Sequence, residues 1–543
     1  MSIFSIGVSG LNSAQTVLAT TSTNISNVYT PGYNRQLAQL SESGSGSGGV
    51  EVASIERQFN HFVSNQLNRS NGVSGALSSY YAQVSQIDRL MADREAGLAP
   101  LMNKFFSALE DVVASPADPA ARQGVLGAAQ TLSGQFRAFD RYLGDMQTSI
   151  NGQIKDQITQ INNSAKQIAQ LNREITLVSA RTGEAPNGML NLRDQLVAEL
   201  AERVDARLTI QDGGSYNLTL GNGLSLVSGS TSFSLEAMRA SEDASRFVVG
   251  YRDAGGNLLE FPESTFKDGQ LGGLVTFRRE TLDRTQNQLG QLAASLAVAF
   301  NQQHGKGVDL YGEAGGDFFA IGQPISYSNT QNRGDAVLSV SYDATQLDGL
   351  LASDYEVSWS SATGYSVLRR DIGTAVAANH DPANGTLSFG GLSVQISGTP
   401  AEGDRFLLQP TRRAASQLAL NISDVARLAA GQPAGGSGSG DNRNALQLQA
   451  LQGERVVGGQ ATFTQSYAMM VSDIGNRTNI AAANFSAQQG LGEQLRALQQ
   501  ADSGVNLDEE AANLIRYQQF YQANAKVIEV GATVLDILLG IRS

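Results

Sequence analysis

The chain has 543 residues, 41% of them apolar and only 16% charged, with 58 glycines, no cysteine and a net charge of −13. That length exceeds one compact core and allows roughly three to five domains. With 51 acids against 38 bases and no basic run, a nucleic-acid or anionic-membrane partner is not expected, and the lack of cysteine rules out disulfide scaffolds, thiolate zinc sites and a cysteine nucleophile.

Residues 1–34 contain no charged side chain; Arg35 is the first. A basic segment before an apolar one is therefore missing, so a classical secretory signal is not expected, and no apolar run is long enough to span a bilayer. Phe4, Leu11, Leu18 and Ile25 recur every seven residues, with the smaller Gly7, Ala14, Thr21 and Val28 three further along. That is a heptad seam with a large and a small position, suited to close helix packing. Its many Ser, Thr and Asn give weak helix propensity, so a partner is needed to hold it. Residues 41–49 read as a flexible Gly/Ser loop. Phe59, Val63, Val73, Leu77, Tyr80, Val84, Ile87 and Met91 trace a long helix.

A Pro- and Asp-containing turn, Ser115 to Ala120, introduces the next helix. From Leu132 the apolar positions run Phe136, Phe139, Leu143, Met146, Ile150, Ile154, Ile158, Ile161, Ala165 and Ile168. Three steps of four in a row, Met146 to Ile158, form a stutter in the stripe. The spacing predicts a rod of about 50 residues, on the order of 75 Å. Strand signals begin near Val204, with turns at Asp212-Gly213-Gly214 and Gly221-Asn222-Gly223. Helix returns at Leu282, Leu289, Leu292 and Leu296. Short strands follow at Val337–Val340, Tyr355–Trp359, Tyr365–Leu368, Leu387–Phe389, Val394–Ile396 and Phe406–Leu408. A helix is expected near 413–430, a second Gly/Ser loop at 435–440, and a long helix over roughly 461–500. At the far end Leu507, Leu514, Tyr521, Ile528 and Leu535 again fall every seven residues.

The expected fold class is α+β multidomain: a discontinuous helical rod and coiled-coil stem built from both termini, with central β-rich domains. The stem is residues 1–55 plus 504–543. A long-helix domain is 56–324 plus 411–503, with a β subdomain near 204–275, and the outer β domain is 325–410.

His61, His304 and His380 have no ligand spacing, so no metal residue is nominated. His380-Asp381 with Ser361 or Ser366 lacks the elbow motif of a hydrolase triad. Glu509-Glu510 could be paired carboxylates, but with Asp508 they read better as acids at the positive end of a helix. No catalytic or cofactor residue is nominated either, and no cofactor is expected.

Several motifs carry a resemblance. Asn24-Ile25-Ser26-Asn27 followed by Thr30-Pro31-Gly32-Tyr33-Asn34-Arg35-Gln36 resembles the N-terminal signature of the flagellar rod, hook and hook-associated proteins. Val505-Asn506-Leu507-Asp508-Glu509-Glu510, continuing through Tyr517-Gln518-Gln519 and Tyr521-Gln522-Ala523-Asn524-Ala525, resembles their C-terminal signature. Asp118-Pro119-Ala120-Ala121-Arg122-Gln123, Asn191-Leu192-Arg193-Asp194-Gln195 and Gln211-Asp212-Gly213-Gly214-Ser215-Tyr216 are similar to members found at the hook–filament junction.

The resemblance implies a structural subunit of a helical tube of its own copies, touching the flagellar hook protein and a second junction protein. It implies secretion by the flagellar type III route, with an export chaperone on the C-terminal helix. Axial subunit packing is then expected of Phe4, Leu11, Leu18, Ile25, Leu507, Leu514, Tyr521, Ile528 and Leu535, and chaperone binding of Leu514, Tyr521, Ile528 and Leu535. The alternative is a flagellum-associated wall hydrolase or adhesin using the central β domain.

Overall fold

The computed structural model describes residues 3–43, 48–91, 97–184, 186–253, 255–433 and 439–541. Its helices are α1 (Ile3–Ser26), α2 (His61–Met91), α3 (Leu98–Ala114), α4 (Pro119–Thr182), α5 (Asn187–Arg203), α6 (Gly269–Phe277), α7 (Asp283–His304), α8 (Arg443–Ala450), α9 (Phe463–Ser503) and α10 (Leu507–Gly540). A π-turn over Arg278–Leu282 joins α6 to α7.

The spine is α4. Asp118 caps it by accepting from the Ala120 amide, Pro119 takes the first helical position, and Gly183 ends it at φ 72°. At 64 residues it outruns the expected rod, reaching about 96 Å. Every apolar position from Leu132 to Ile168 that defined the stripe is buried. The stripe faces α3 and α7 near its start and the strands after Val204 near its end.

Two small sheets stand on the far half of α4. One holds β3 (Ala206–Ile210), β4 (Tyr216–Leu220), β5 (Ser225–Ser228) and β6 (Thr231–Ser232) in chain order; the other holds β7 (Leu235–Arg239), β8 (Phe247–Arg252) and β9 (Leu258–Glu260). For these labels, β1 (Gln36–Glu42) and β2 (Val50–Arg57) form an antiparallel hairpin against α1. The sequence reading passed over that hairpin. Residues 44–47 of the first expected loop lie outside the described residues, as do 435–438 of the second.

The β insertion adds β10 (Phe319–Ala320) to β19 (Arg405–Gln409), with β20 (Ala419–Leu420) following. Within it β11 (Ile325–Ser328), β19, β13 (Tyr355–Ser360), β14 (Gly364–Arg369) and β15 (Ala375–Val376) lie in that order. The second sheet runs β12 (Val337–Tyr342), β18 (Leu392–Ser397), β17 (Thr386–Phe389), β16 (Asn379–Asp381). All six segments expected as strands there are strands. Alternation makes this so: Leu338 and Val340, Tyr355 and Val357, Leu387 and Phe389, Leu392 and Val394 are buried.

The expected helix near 413–430 is not one. The segment holds 3₁₀ turns at Ala414–Gln417 and Val425–Arg427 around β20. Its carbonyls are taken by arginines of α4. Arg122, fully buried, donates to Val425 O and Leu428 O at 3.0 and 2.9 Å, and Arg137 donates to Leu418 O at 2.6 Å. Donors from outside replace the ladder a helix would supply.

The outer strands are fastened to the helical body by charge. Asp283 of α7 pairs with Arg246 and Arg412, and Arg412 pairs with Asp354. Burial pushes the Asp283 carboxyl upward, but the two guanidinium groups outweigh it and hold it at about 2. Beside this knot α7 passes so close to the chain leaving the outer strands that a Cβ on Gly290 would fall 1.7 Å from Thr411 O. Gly290→Ala is therefore expected to cost about 1–3 kcal/mol through overpacking, read as a lower denaturation midpoint, whereas Gly124→Ala, with open space around it, should be neutral or stabilising.

Candidate functional site

The two ends of the chain meet. α1 and α10 run antiparallel: Ile3 and Phe4 lie at Gly531, Gly7 at Ile528, Gly10 at Asn524, and Asn24 at Glu510. The approach is close, since a Cβ on Gly7 would stand 2.7 Å from Ile528 Cγ1 and one on Gly10 would stand 2.1 Å from Asn524 Oδ1. The buried line of α1 is Gly7, Gly10, Ser13, Ala14, Val17, Thr20, Thr21 and Asn24.

This corrects the sequence reading of the seam. The larger heptad residues Phe4, Leu11, Leu18 and Ile25 are only half-buried, and the small ones make the contact. On α10, Leu514 and Ile528 are half-buried, whereas Leu507, Tyr521 and Leu535 are exposed. A straight helix drifts about 20° per seven residues, so a strict heptad cannot stay on one seam for four turns of repeat. Each weak terminal helix does have a partner, and it is the other terminus.

A polar knot closes the root of this pair. Arg35 Nε meets Glu510 Oε1 and its Nη1 meets Glu509 Oε2, each at 2.7 Å. Glu510 is buried, and Asn24 Nδ2 donates to its second oxygen at 3.1 Å. Asn24 Oδ1 accepts from Tyr33 Oη at 2.8 Å and from the Gln36 amide at 3.0 Å. Burial, with Glu510 nearby, pushes the Tyr33 hydroxyl up to about 12, so it stays a donor. The Arg35 amide donates to Ser503 O at 2.9 Å, and Asn506 caps α10. The N- and C-terminal signature motifs thus converge on one cluster.

The cluster continues into the helical body. Asn34 Nδ2 donates to Asn191 Oδ1 at 2.8 Å, and Arg57 donates to the same oxygen and pairs with Asp194. Asp194 also accepts from Tyr216 Oη at 2.7 Å, with the Arg193 guanidinium 3.5 Å above the Tyr216 ring. Three of the quoted motifs therefore form one hydrogen-bonded chain from stem to β4. Sequence reasoning named these motifs without seeing that they touch. The signal was the lone Arg35 after a charge-free stretch, answering the acids at 508–510.

The other candidates have local duties. His304 is buried between Gly316 O, at 2.7 Å from Nδ1, and the Ala429 amide, which donates to Nε2 at 2.9 Å. His380 packs edge-on against Tyr365, Asp381 accepts from Ala383 N and Asn384, and Ser366 bonds Ser358. Among the described residues no group of three or more His, Asp or Glu could hold a metal, and no helix is long and apolar enough to cross a membrane.

Against known families, residues 84–319 match the flagellar hook-associated protein FlgK helical domain. Residues 327–410 match the flagellar hook-associated protein 1, D2-like domain, and 499–541 the flagellar basal body rod FlgEFG protein C-terminal. The chain is 41% identical to flagellar hook-associated protein 1 of Salmonella typhimurium over 554 residues, covering all of both chains. The Escherichia coli protein of that name is likewise 41% identical over the whole of both. The flagellar hook junction protein FlgK from Burkholderia pseudomallei has a similar structure, with a TM-score of 0.74 and 28% identity over 80% of this chain and 99% of that one.

Two outcomes test the site. Removing one partner of a buried ion pair costs about 3–5 kcal/mol, so Glu510→Ala should speed amide exchange throughout α1 and α10 while leaving α4 protected. Adding Arg35→Ala to that variant should cost much less than in the wild type. His304 answers to pH: burial holds its pKa below 6.5, so the folded chain binds the proton less readily than the unfolded one. Its stabilisation is complete above 6.5 and is lost as pH falls from there through the folded value. Denaturant midpoints of wild type minus His304→Gln should therefore shrink from pH 7 to pH 5.

Proposed function

The chain belongs to the family of flagellar hook-associated protein 1, and from that premise we propose that its paired termini are what build it into the flagellum. It is a structural, exported component of the junction between hook and filament. In our reading three units share the work: 1–55 with 504–543 as the axial stem, 56–324 with 411–503 as the body, and 325–410 facing outward. The hook protein meets one end of the resulting tube and the second junction protein the other. A wall hydrolase or adhesin role finds no support in the descriptions of the matched relatives.

One observation carries the axial role. With α1 seated on it, α10 still exposes Ile515, Val527, Val530, Val534, Ile537 and Leu538, and α1 exposes Ile3, Ile6 and Val8. So many apolar side chains on one thin helix pair exceed what an isolated soluble surface carries. Neighbouring copies bury them, with Tyr521 and Leu535 among the available contacts. Phe4, Leu11, Leu18 and Ile25, half covered inside the chain, are completed by those neighbours.

The same surface explains a chaperone. Ile528 is engaged by Gly7, so a chaperone that grips Leu514, Tyr521, Ile528 and Leu535 together takes α10 before α1 closes on it. Burying one Leu is worth about 1.5–3 kcal/mol, so Leu535→Asp should leave α1–α10 exchange protection intact and sharply reduce attached filaments. Ile528→Asp should lose the protection itself. Normal filament attachment in Leu535→Asp cells would refute the axial role of the exposed face.

A further inference from the structure

Along α9, Met469, Ile480, Leu491 and Leu498 are 57%, 52%, 46% and 50% exposed. Their spacings of eleven, eleven and seven residues correspond to about three, three and two helical turns. They therefore fall on one line, about 43 Å long at 1.5 Å per residue. The exposed residues interleaved on that flank, Asn476, Ala483, Ala487 and Gln494, carry no charge, and the acid beside them, Asp473, is paired with Arg284 and Arg477. The buried face, with Tyr467, Met470, Ile474, Ala481 and Gly492, is a different side of the helix. Single exposed hydrophobics are ordinary, but four in line are a surface.

The far edge of the same helical layer carries a second apolar patch. α2 holds α9 on one side, where Gln488 donates to Ser70 Oγ at 2.8 Å. On its other side lies α5, so close that Cβ atoms on Gly72 and Gly75 would stand 3.0 and 2.3 Å from the carbonyls of Ala201 and Glu202. α5 in turn packs on α4. At that edge Leu177 of α4 and Leu192 of α5 are 52% and 48% exposed, at matching distances from the connection between the two helices. Leu192 is left outward in a motif whose Asn191, Arg193 and Asp194 are all engaged.

We propose that the α9 stripe docks a second copy of this chain, which presents its α4–α5 edge. This rests on the self-assembling reading above. Copies that repeat around a tube must meet through two different patches on opposite edges, and this body exposes apolar side chains at each, along α9 and at Leu177 and Leu192, where the exposed Arg173 and Arg181 flank Leu177. Both edges reach the root of the stem: Asn60 bonds Asp502 at the end of α9, and Asn34 bonds Asn191 of α5. Both edges thus end beside the stem, whose exposed apolar residues begin at Leu507 and Ile515.

The absence of cysteine makes the test clean. Leu192→Cys is combined in turn with Met469→Cys, Ile480→Cys, Leu491→Cys and Leu498→Cys, and again with Leu177→Cys in place of Leu192→Cys. Oxidation of assembled flagella should give a disulfide ladder beyond the dimer for one or two positions, reporting the axial stagger. Attached filaments at wild-type number with no ladder from any pair would overturn the docking and leave the junction role standing. If wild-type chain were not found on flagella at all, the junction role itself would fail. Capture of a different protein by the α9 cysteines would overturn the choice of occupant. Separately, Leu491→Glu with Leu498→Glu should keep wild-type helicity and melting yet lower attached filaments at least tenfold. Unchanged attachment counts against the proposal.

Discussion

The closure of Arg35 on Glu510, across 475 residues of sequence, is the constraint on which the stem depends. Neither terminal helix has the propensity to stand alone, and bringing chain ends together costs entropy that grows with the loop between them. A buried ion pair repays its desolvation only when each oxygen and donor finds a partner. Here both carboxylate oxygens do, one on Arg35 and the other on Asn24. The pair also sets register. With Asn24 fixed at Glu510, Gly10 falls at Asn524 and Gly7 at Ile528, the positions where a missing side chain is needed.

From that knot the load passes inward through polar links and not through a common apolar core. Asn191 and Asp194 of α5 take the strain from Asn34 and Arg57, and Tyr216 carries it to the first sheet. At the opposite end of the body the outer strands are held by Asp283, Arg412 and Asp354. Charge networks of this kind fix geometry more than they add stability. A subunit that must present its domains at set angles to its neighbours gains from that. Between the two networks lies α4, whose apolar stripe supplies the cohesion.

Much of this was legible. The α4 stripe and the outer strands follow from period alone, because one buried face leaves a repeat that a reader can count. What stayed hidden has physical causes. The hairpin β1–β2 pairs short, mixed segments whose inward side meets a helix of small residues, so no strong alternation marks it. The segment 413–430 carries apolar residues at helical spacing, yet Arg122 and Arg137 of α4 claim its carbonyls. No local rule reveals a donor that lies some 300 residues away in sequence. The terminal stripes were visible as stripes, with Gly7, Ala14 and Thr21 already on the seam, but not that such small residues would be its centre and the larger ones its margin. The knot itself was spelled out in the motifs, and its one sign was a lone Arg35 after a charge-free stretch with acids waiting at 508–510.

The first helix of the chain pairs with the last. On a ribosome α1 appears early and its partner only after the whole body has been made. For that whole interval it must wait without being mistaken for something to aggregate with. Its composition suits waiting: no charge to solvate, a contact face of small residues, and hydroxyls of Thr16, Thr20, Ser22 and Thr23 that turn back onto carbonyls of their own helix. Such a helix is quiet when alone and tight when met. The stem is in that sense a clock, which cannot close until α10 has arrived.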